Sequence, residues 1–309
     1  MQIHKFDFAL HEVAPYINWL YFFHAWGFPA RLGSIARVHG CEACRQNWLY
    51  SFINKEERAR AREAMHLYDE AQALLQELDA HFQTHAIVWL GKAHSEGDDI
   101  VLDEAITPEG ERREVSGFRL PLLRQQTPSE DGTCWCLSDF VHPVEDKIGC
   151  FVCSTDRLLE ERMAEDEFQH LLHQTLADRL AEATAEKTHE RVRRELWGYA
   201  PNERLTLDDL FAERYSGKRP AVGYPSLPDQ SFNFLLDKLL DFESIGVTLT
   251  ENGAMQPHAS TSGLMLSHPA TRHFSVGAIG EDQLEDYARR RGIEKEGIRK
   301  FLSSNTSYS

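Results

Sequence analysis

Between two long segments of helical period, Lys55 to Ala80 and about Ala164 to Trp197, the chain sets a series of short apolar runs punctuated by Gly, Pro and Asp. That order limits the fold more than any other feature. It points to an α+β domain with a mixed or antiparallel sheet and flanking helices. In the first helical segment Leu67, Ala71, Leu74, Leu75 and Leu78 form one apolar stripe. The runs "AIVWLGKA", "DDIVLDEA", "REVSGFRLPLL", "CWCLSDFV" and "KIGCFVCS" read as strands. In the second helix Phe168, Leu171, Leu172, Leu176 and Leu180 share a face, and the glycine and proline of "GYAPNERL" end it. Thr206 with Asp209 three residues on opens a short helix in the manner of a capping box. A helix ("SFNFLLDKLLDF"), a strand ("GVTLT"), a small-residue segment ("HASTSGLMLSHP"), a strand ("HFSVGAIG") and two further helices complete the chain. The aromatic-rich residues 1–52 mix helix with turn and are expected as a loosely attached piece of one elongated domain over 1–309.

Composition matters for what such a domain can bind. Its net charge is −16, from 49 acidic and 33 basic residues, and the basic pieces are interleaved with acids or lie on helix patterns. A phosphate backbone would repel this chain, so nucleic acid is not an expected partner. No apolar run approaches the ~18 residues of a membrane span, and the N-terminus is charged where a signal peptide needs apolar residues. The expectation is a soluble, cytoplasmic protein that does not engage membrane.

Six cysteines fall at 41, 44, 134, 136, 150 and 153, two of them in "CEAC" and two in "CFVC". Two such pairs invite a zinc reading. However, "KIGCFVCST" reads as a strand, in which residues three apart point to opposite faces, so Cys150 and Cys153 cannot share one ion. No metal site is expected, and the thiols are expected to be reduced.

One stretch resists assignment to any regular element. "RPAVGYPSLPD", Arg219 to Asp229, holds three prolines, which exclude both a helix and a central strand. It is stiff, irregular and cationic at one end.

Around that stretch the chain resembles the activation domain of cobalamin-dependent methionine synthase. The resemblance is carried by "ADRLAEA", "HERVR", "WGYAPNE", "RPAVGYP", "LTENGAM", "ASTSG", "SHP" and "DQLEDYARRRG", and more thinly upstream by "YINW", "GDDI", "LLRQQ" and "LSDF". It implies that family's single elongated, C-shaped fold and a site for S-adenosylmethionine. The family signature Arg-x-x-x-Gly-Tyr matches as Arg219, Gly223 and Tyr224. A guanidinium offers a planar fork to the ligand's carboxylate, and backbone beside Ala221 can bond an adenine edge. Flanking prolines hold the loop before ligand arrives, which lowers the entropic cost of binding. Glu213 matches an acidic position near the ligand, and Asp178 and Glu182 match the helix face turned toward the cobalamin-carrying module.

Two residues depart from the family pattern. Asn18 stands where the family has an aspartate that accepts from the ligand's ammonium. His273 with Phe274 replaces an aromatic pair that begins with tyrosine. The resemblance implies reactivation: a flavodoxin-type donor reduces cobalamin, and S-adenosylmethionine methylates it. No side chain of this module need act as nucleophile or general base. The corrin would come from a partner methyltransferase chain, because "DAHFQTH" lacks the glycine of a cobalamin motif. On this reading the chain is the activation module standing alone. The alternative is a degenerate ligand-binding or interaction module that no longer supports methyl transfer.

Overall fold

The computed structural model describes residues 2–103, 117–161 and 166–302. The chain opens with β1 (Gln2–Ala9), the short helices α1 (Leu10–Val13), α2 (Trp19–Ala25) and α3 (Glu42–Tyr50), and the long α4 (Lys55–Asp79). Then come β2 (Gln83–Glu96), β3 (Asp99–Leu102), β4 (Phe118–Pro121) and β5 (Asp146–Thr155). Next are α5 (Arg157–Glu161) and α6 (Glu167–Arg191), which runs into a π-helical turn at Val192–Leu196. The C-terminal part holds α7 (Leu207–Phe211), α8 (Asn233–Leu240), β6 (Thr248–Leu249), β7 (Met255–Gln256), β8 (Ser260–Leu266), α9 (Glu281–Arg291) and α10 (Lys295–Phe301).

The main sheet runs β4-β3-β2-β5-β8, and every pairing in it is antiparallel. β2 is long enough to serve two neighbours on one edge: β1 pairs with 83–90 and β3 with 93–96. Both sheet faces are covered. Ala86, Val88, Leu90, Phe151 and Cys153 enter one core with α4 and α6, while Ile87, Trp89, Cys150, Val152 and Leu264 enter another with α8. Strands buried on both faces read as continuous apolar runs rather than alternating ones. Cys150 and Cys153 therefore lie on opposite faces of the sheet, as strand geometry requires.

The helices lie close to their expected positions. α4 buries all five predicted apolar residues and adds Ala61 and Ala64. In α6, Leu172, Leu176 and Leu180 are fully buried, but Phe168 and Leu171 are exposed at 41% and 45%, so the predicted stripe loses its first turn. The predicted start at Ala164 lies outside the described residues. Thr206 and Asp209 make the expected reciprocal cap.

Strand assignments differ in several places. "CWCLSDFV" is not a strand: Leu137–Phe140 is a 3-10 turn, because Asp139 turns back to accept from Cys136 N–H at 2.8 Å. "HFSVGAIG" forms no strand, and "GVTLT" yields only the two-residue β6. Conversely, the small-residue segment forms β8, which pairs with β5 over seven residues. Residues 1–52, expected as a loosely attached piece, supply β1 to the main sheet, and Phe22 and Phe23 are fully buried in the core shared with α6.

Candidate functional site

The proline-rich stretch is a broken edge strand. Lys218 and Leu266 exchange both backbone bonds, at 2.9 and 3.0 Å, on the free side of β8. Leu264 N–H then donates to Pro220 O at 3.0 Å, and Val222 N–H donates to Ser262 O at 2.9 Å. Pro220 has no N–H to return to Leu264 O, so this pair makes one of the two bonds its register offers, a loss that an edge position tolerates. Ala221 lies opposite Gly263 and directs its own N–H and C=O away from β8; the carbonyl takes Tyr224 N–H at 3.3 Å. The approach is close. A Cβ at Gly263 would lie 2.2 Å from Pro220 O, so only glycine allows this crossing. Gly223, at φ +86°, then turns the chain, with Gly223 N–H on Leu227 O and Leu227 N–H on Tyr224 O, each at 2.9 Å. The far end is pinned by buried Asp229, whose carboxylate accepts from Tyr287 Oη at 2.7 Å and pairs with Arg291 at 2.6 Å. Loop rigidity thus comes from β8 at one end and α9 at the other.

This crossing directs Arg219 toward α6, where its guanidinium lies over the Phe151 ring at 5.5 Å. Nη2 meets Glu186 Oε2 at 3.3 Å, and both side chains are only 12–13% exposed. The pair is under-satisfied: Arg219 Nε and Glu186 Oε1 are buried without a hydrogen-bond partner. Burial lifts the Glu186 carboxyl above its ordinary value, and a single long contact to Arg219 does not reverse that. Burial also works against the Arg219 charge, but Glu186 and Glu182 outweigh it and hold the guanidinium above its usual range.

Tyr224 and Glu182 were assigned different partners on sequence grounds, yet they touch. Tyr224 Oη donates to Glu182 Oε1 at 3.2 Å, and the Glu182 charge raises the phenol to about 12. They line a cleft of about 700 Å³ with Asp178, Val222, Gln230 and His258. Asp178 faces His258 at 3.5 Å.

Glu213 and His273 are also brought together, through an Oε2–Nε2 contact of 3.0 Å. Lys218 Nζ stands 3.6 Å from the same carboxylate and donates to Glu213 O at 3.0 Å. The bond to His273 holds the Glu213 carboxyl below its usual range. Glu213 sits at φ +49°, an uncommon conformation for a non-glycine residue, just beyond α7. Phe274 packs against two separate core clusters. Asn18 lies apart from Tyr224 and Glu182. It caps α2 by accepting from Leu20 N–H at 3.2 Å, and it lines a second cleft, of about 1240 Å³, with Tyr21, Arg37, Asp208 and Phe211. That cleft reaches Ala212, the neighbour of Glu213.

Sequence reasoning missed Glu186, because a glutamate on a helix carries no signal until the loop crosses above it. It also missed what "HERVR" and "WGYAPNE" do. Arg193 is fully buried and grips Glu203 with bonds of 2.7–3.1 Å, while His189 receives Arg193 Nη1 at 2.9 Å. Burial, with Arg193 adding to it, holds His189 well below its ordinary value, so the ring is a neutral acceptor. This clamp fixes the C-terminal end of α6 and so the helix that carries Glu182 and Glu186.

Comparison with known proteins agrees with this architecture. The family model described as vitamin B12-dependent methionine synthase, activation domain, matches residues 9–292. Among solved structures, one titled as the MetH reactivation domain bound to AdoHcy is similar over 100% of this chain and 91% of its own, with a TM-score of 0.83 and 33% identity. With so much of its length matched in both sequence and fold, the chain belongs to the family of vitamin B12-dependent methionine synthase activation domains.

Proposed function

We propose that this domain binds S-adenosylmethionine at the Arg219 loop and presents its methyl group to cobalamin held by a corrinoid-binding methyltransferase module. The observation that carries this reading is the pair of unpartnered atoms, Arg219 Nε and Glu186 Oε1, on facing side chains. One is a donor on a cation and the other an acceptor on an acid. Together they match the α-carboxylate and α-ammonium that an amino acid ligand carries on one carbon. Both atoms are closed off from solvent, so binding requires the single 3.3 Å contact between Arg219 and Glu186 to open. Ala221, with its backbone directed away from β8, supplies an edge for the adenine. Gly223 and Gly263 keep that backbone clear of side chains. Support also comes from the similar reactivation domain, which is bound to AdoHcy.

When bound, S-adenosylmethionine supplies an activated methyl group on a sulfonium, ready for transfer to reduced cobalt. The protein's part is orientation: a loop fixed at both ends and a cleft bordered by Glu182 and Asp178 toward the cobalamin module. Reduction of the corrinoid falls to a separate flavodoxin-type donor.

Calorimetry with S-adenosylmethionine and S-adenosylhomocysteine tests this. Arg219→Ala is expected to weaken binding by about 1.5–3 kcal/mol, the range of a charge-assisted bond. Circular dichroism checks that the variant stays folded. Equal affinity in wild type and variant would remove Arg219 from the site. Asn18→Asp tests the second cleft, since Asp caps a helix as well as Asn and stability should not change. Should the ammonium lie in that cleft and not at Glu186, the restored charge tightens binding by about 0.5–2 kcal/mol, less at high salt. Unchanged affinity would place Asn18 outside the ligand site.

A further inference from the structure

Outside the Arg219 loop, a six-residue surface segment gathers one imidazole and two thiol donors. His39, Cys41 and Cys44 place one ligand atom each within 4.8 Å of one another, and they form the one such His/Cys/Asp/Glu group among the described residues. We propose that His39, Cys41 and Cys44 form a three-ligand site for a thiophilic metal ion of the zinc class, with water in the fourth position.

Local structure brings these donors together. Cys41 is the N-cap of α3, and its Sγ accepts from Cys44 N–H at 3.4 Å, so the start of the helix sets the two thiols side by side. Gly40 turns the chain without crowding, as a Cβ there would meet nothing within 4 Å. Across this residue His39 folds back until its Nδ1 accepts from Cys41 N–H at 3.2 Å. Tetrahedral zinc, with bonds of about 2.3 Å to sulfur and 2.0–2.1 Å to nitrogen, needs donors roughly 3.5–3.8 Å apart. The donors therefore need to draw together by at most about one ångström to close the site. Closing it costs the His39–Cys41 bond, because either ring nitrogen must give up that arrangement to ligate. Two thiolates and a neutral imidazole would neutralise a divalent ion. Cys150 and Cys153, the other pair, on which the expectation of no zinc rested, do lie buried on opposite sheet faces and take no part.

The test titrates the full chain, under a non-thiol reductant, with Zn²⁺ against a chromophoric chelator and with Co²⁺ as a spectroscopic probe. Expected are one ion per chain and a thiolate-to-cobalt charge-transfer band. Cys41→Ser, Cys44→Ser and His39→Gln should each weaken zinc binding by more than the roughly 10- to 100-fold that losing an outer-shell partner costs. Cys134→Ser should leave it unchanged. These positions are at the surface, and circular dichroism confirms each variant's fold. The proposal is overturned if wild type binds no better than the Cys41→Ser/Cys44→Ser double variant, or if His39→Gln binds as tightly as wild type. A Cys41–Cys44 disulfide that survives the reductant would overturn it as well.

Discussion

Gly263→Ala should detach the Arg219 loop from the sheet. Gly263 has no left-handed φ, so alanine meets no conformational obstacle there, only a spatial one. Its new Cβ would lie 2.2 Å from Pro220 O, 2.8 Å from Ala221 Cα and 3.0 Å from Phe151 Cε1. Two of these atoms are backbone. Pro220 O cannot retreat, because it is the acceptor for Leu264 N–H. Relief therefore requires residues 220–222 to lift off β8 and lose the bonds at Pro220 O and Val222 N–H. Two backbone bonds at about 1 kcal/mol each, plus about 1–3 kcal/mol for overpacking, predict a loss of about 3–5 kcal/mol. Urea unfolding followed by tryptophan fluorescence should show a lower midpoint at unchanged slope, which marks a true stability change. Affinity for S-adenosylmethionine should fall in the same variant, since Arg219 moves with the loop. Gly40→Ala serves as control: no atom lies within 4 Å of its Cβ, so the change should stay within about 0.5 kcal/mol. A loss below about 1 kcal/mol for Gly263→Ala would refute the argument that close crossing, rather than chain flexibility, requires glycine here.

Other outcomes follow from buried charge. Glu203→Ala should destabilise the protein by about 3–5 kcal/mol in urea, because it leaves fully buried Arg193 without its carboxylate; Glu203→Gln should cost less, as its amide oxygen still accepts. His85 joins β1 to the end of β5, with Nδ1 at 2.6 Å from Asp7 and Nε2 at 3.0 Å from Asp156. Burial opposes its charge, but the bonds to Asp156 and Asp7 prevail and raise its pKa above 6.5. The folded state thus holds this proton more tightly than the unfolded one. The stabilisation is full below 6.5 and is lost as pH rises through the raised value. Urea midpoints measured across neutral pH should decline more steeply for wild type than for His85→Gln; parallel curves would show that His85 carries no linked proton.

The long helices, the stripe on α4 and the Thr206 cap were legible in the chain, because each depends on neighbours a few residues away, while the Arg219–Gly223–Tyr224 signature was legible through the family resemblance. Strand alternation likewise separated Cys150 from Cys153 without knowledge of the fold. What the sequence could not show was anything that depends on two distant segments meeting. β8 reads as a small-residue segment, and its Gly263 makes sense only once the proline-rich loop crosses 2.2 Å from where a Cβ would lie. β1 reads as part of an aromatic helix-and-turn segment, and only its register against β2 makes it a strand. Glu186 is one of many helix glutamates until Arg219 is laid over it, and His39 is an ordinary surface histidine until the turn at Gly40 brings it beside two thiols. Local propensity and capping are short-range and survive in a one-dimensional reading. Burial, charge pairing and close backbone approach are properties of packing, and only the tertiary structure decides them.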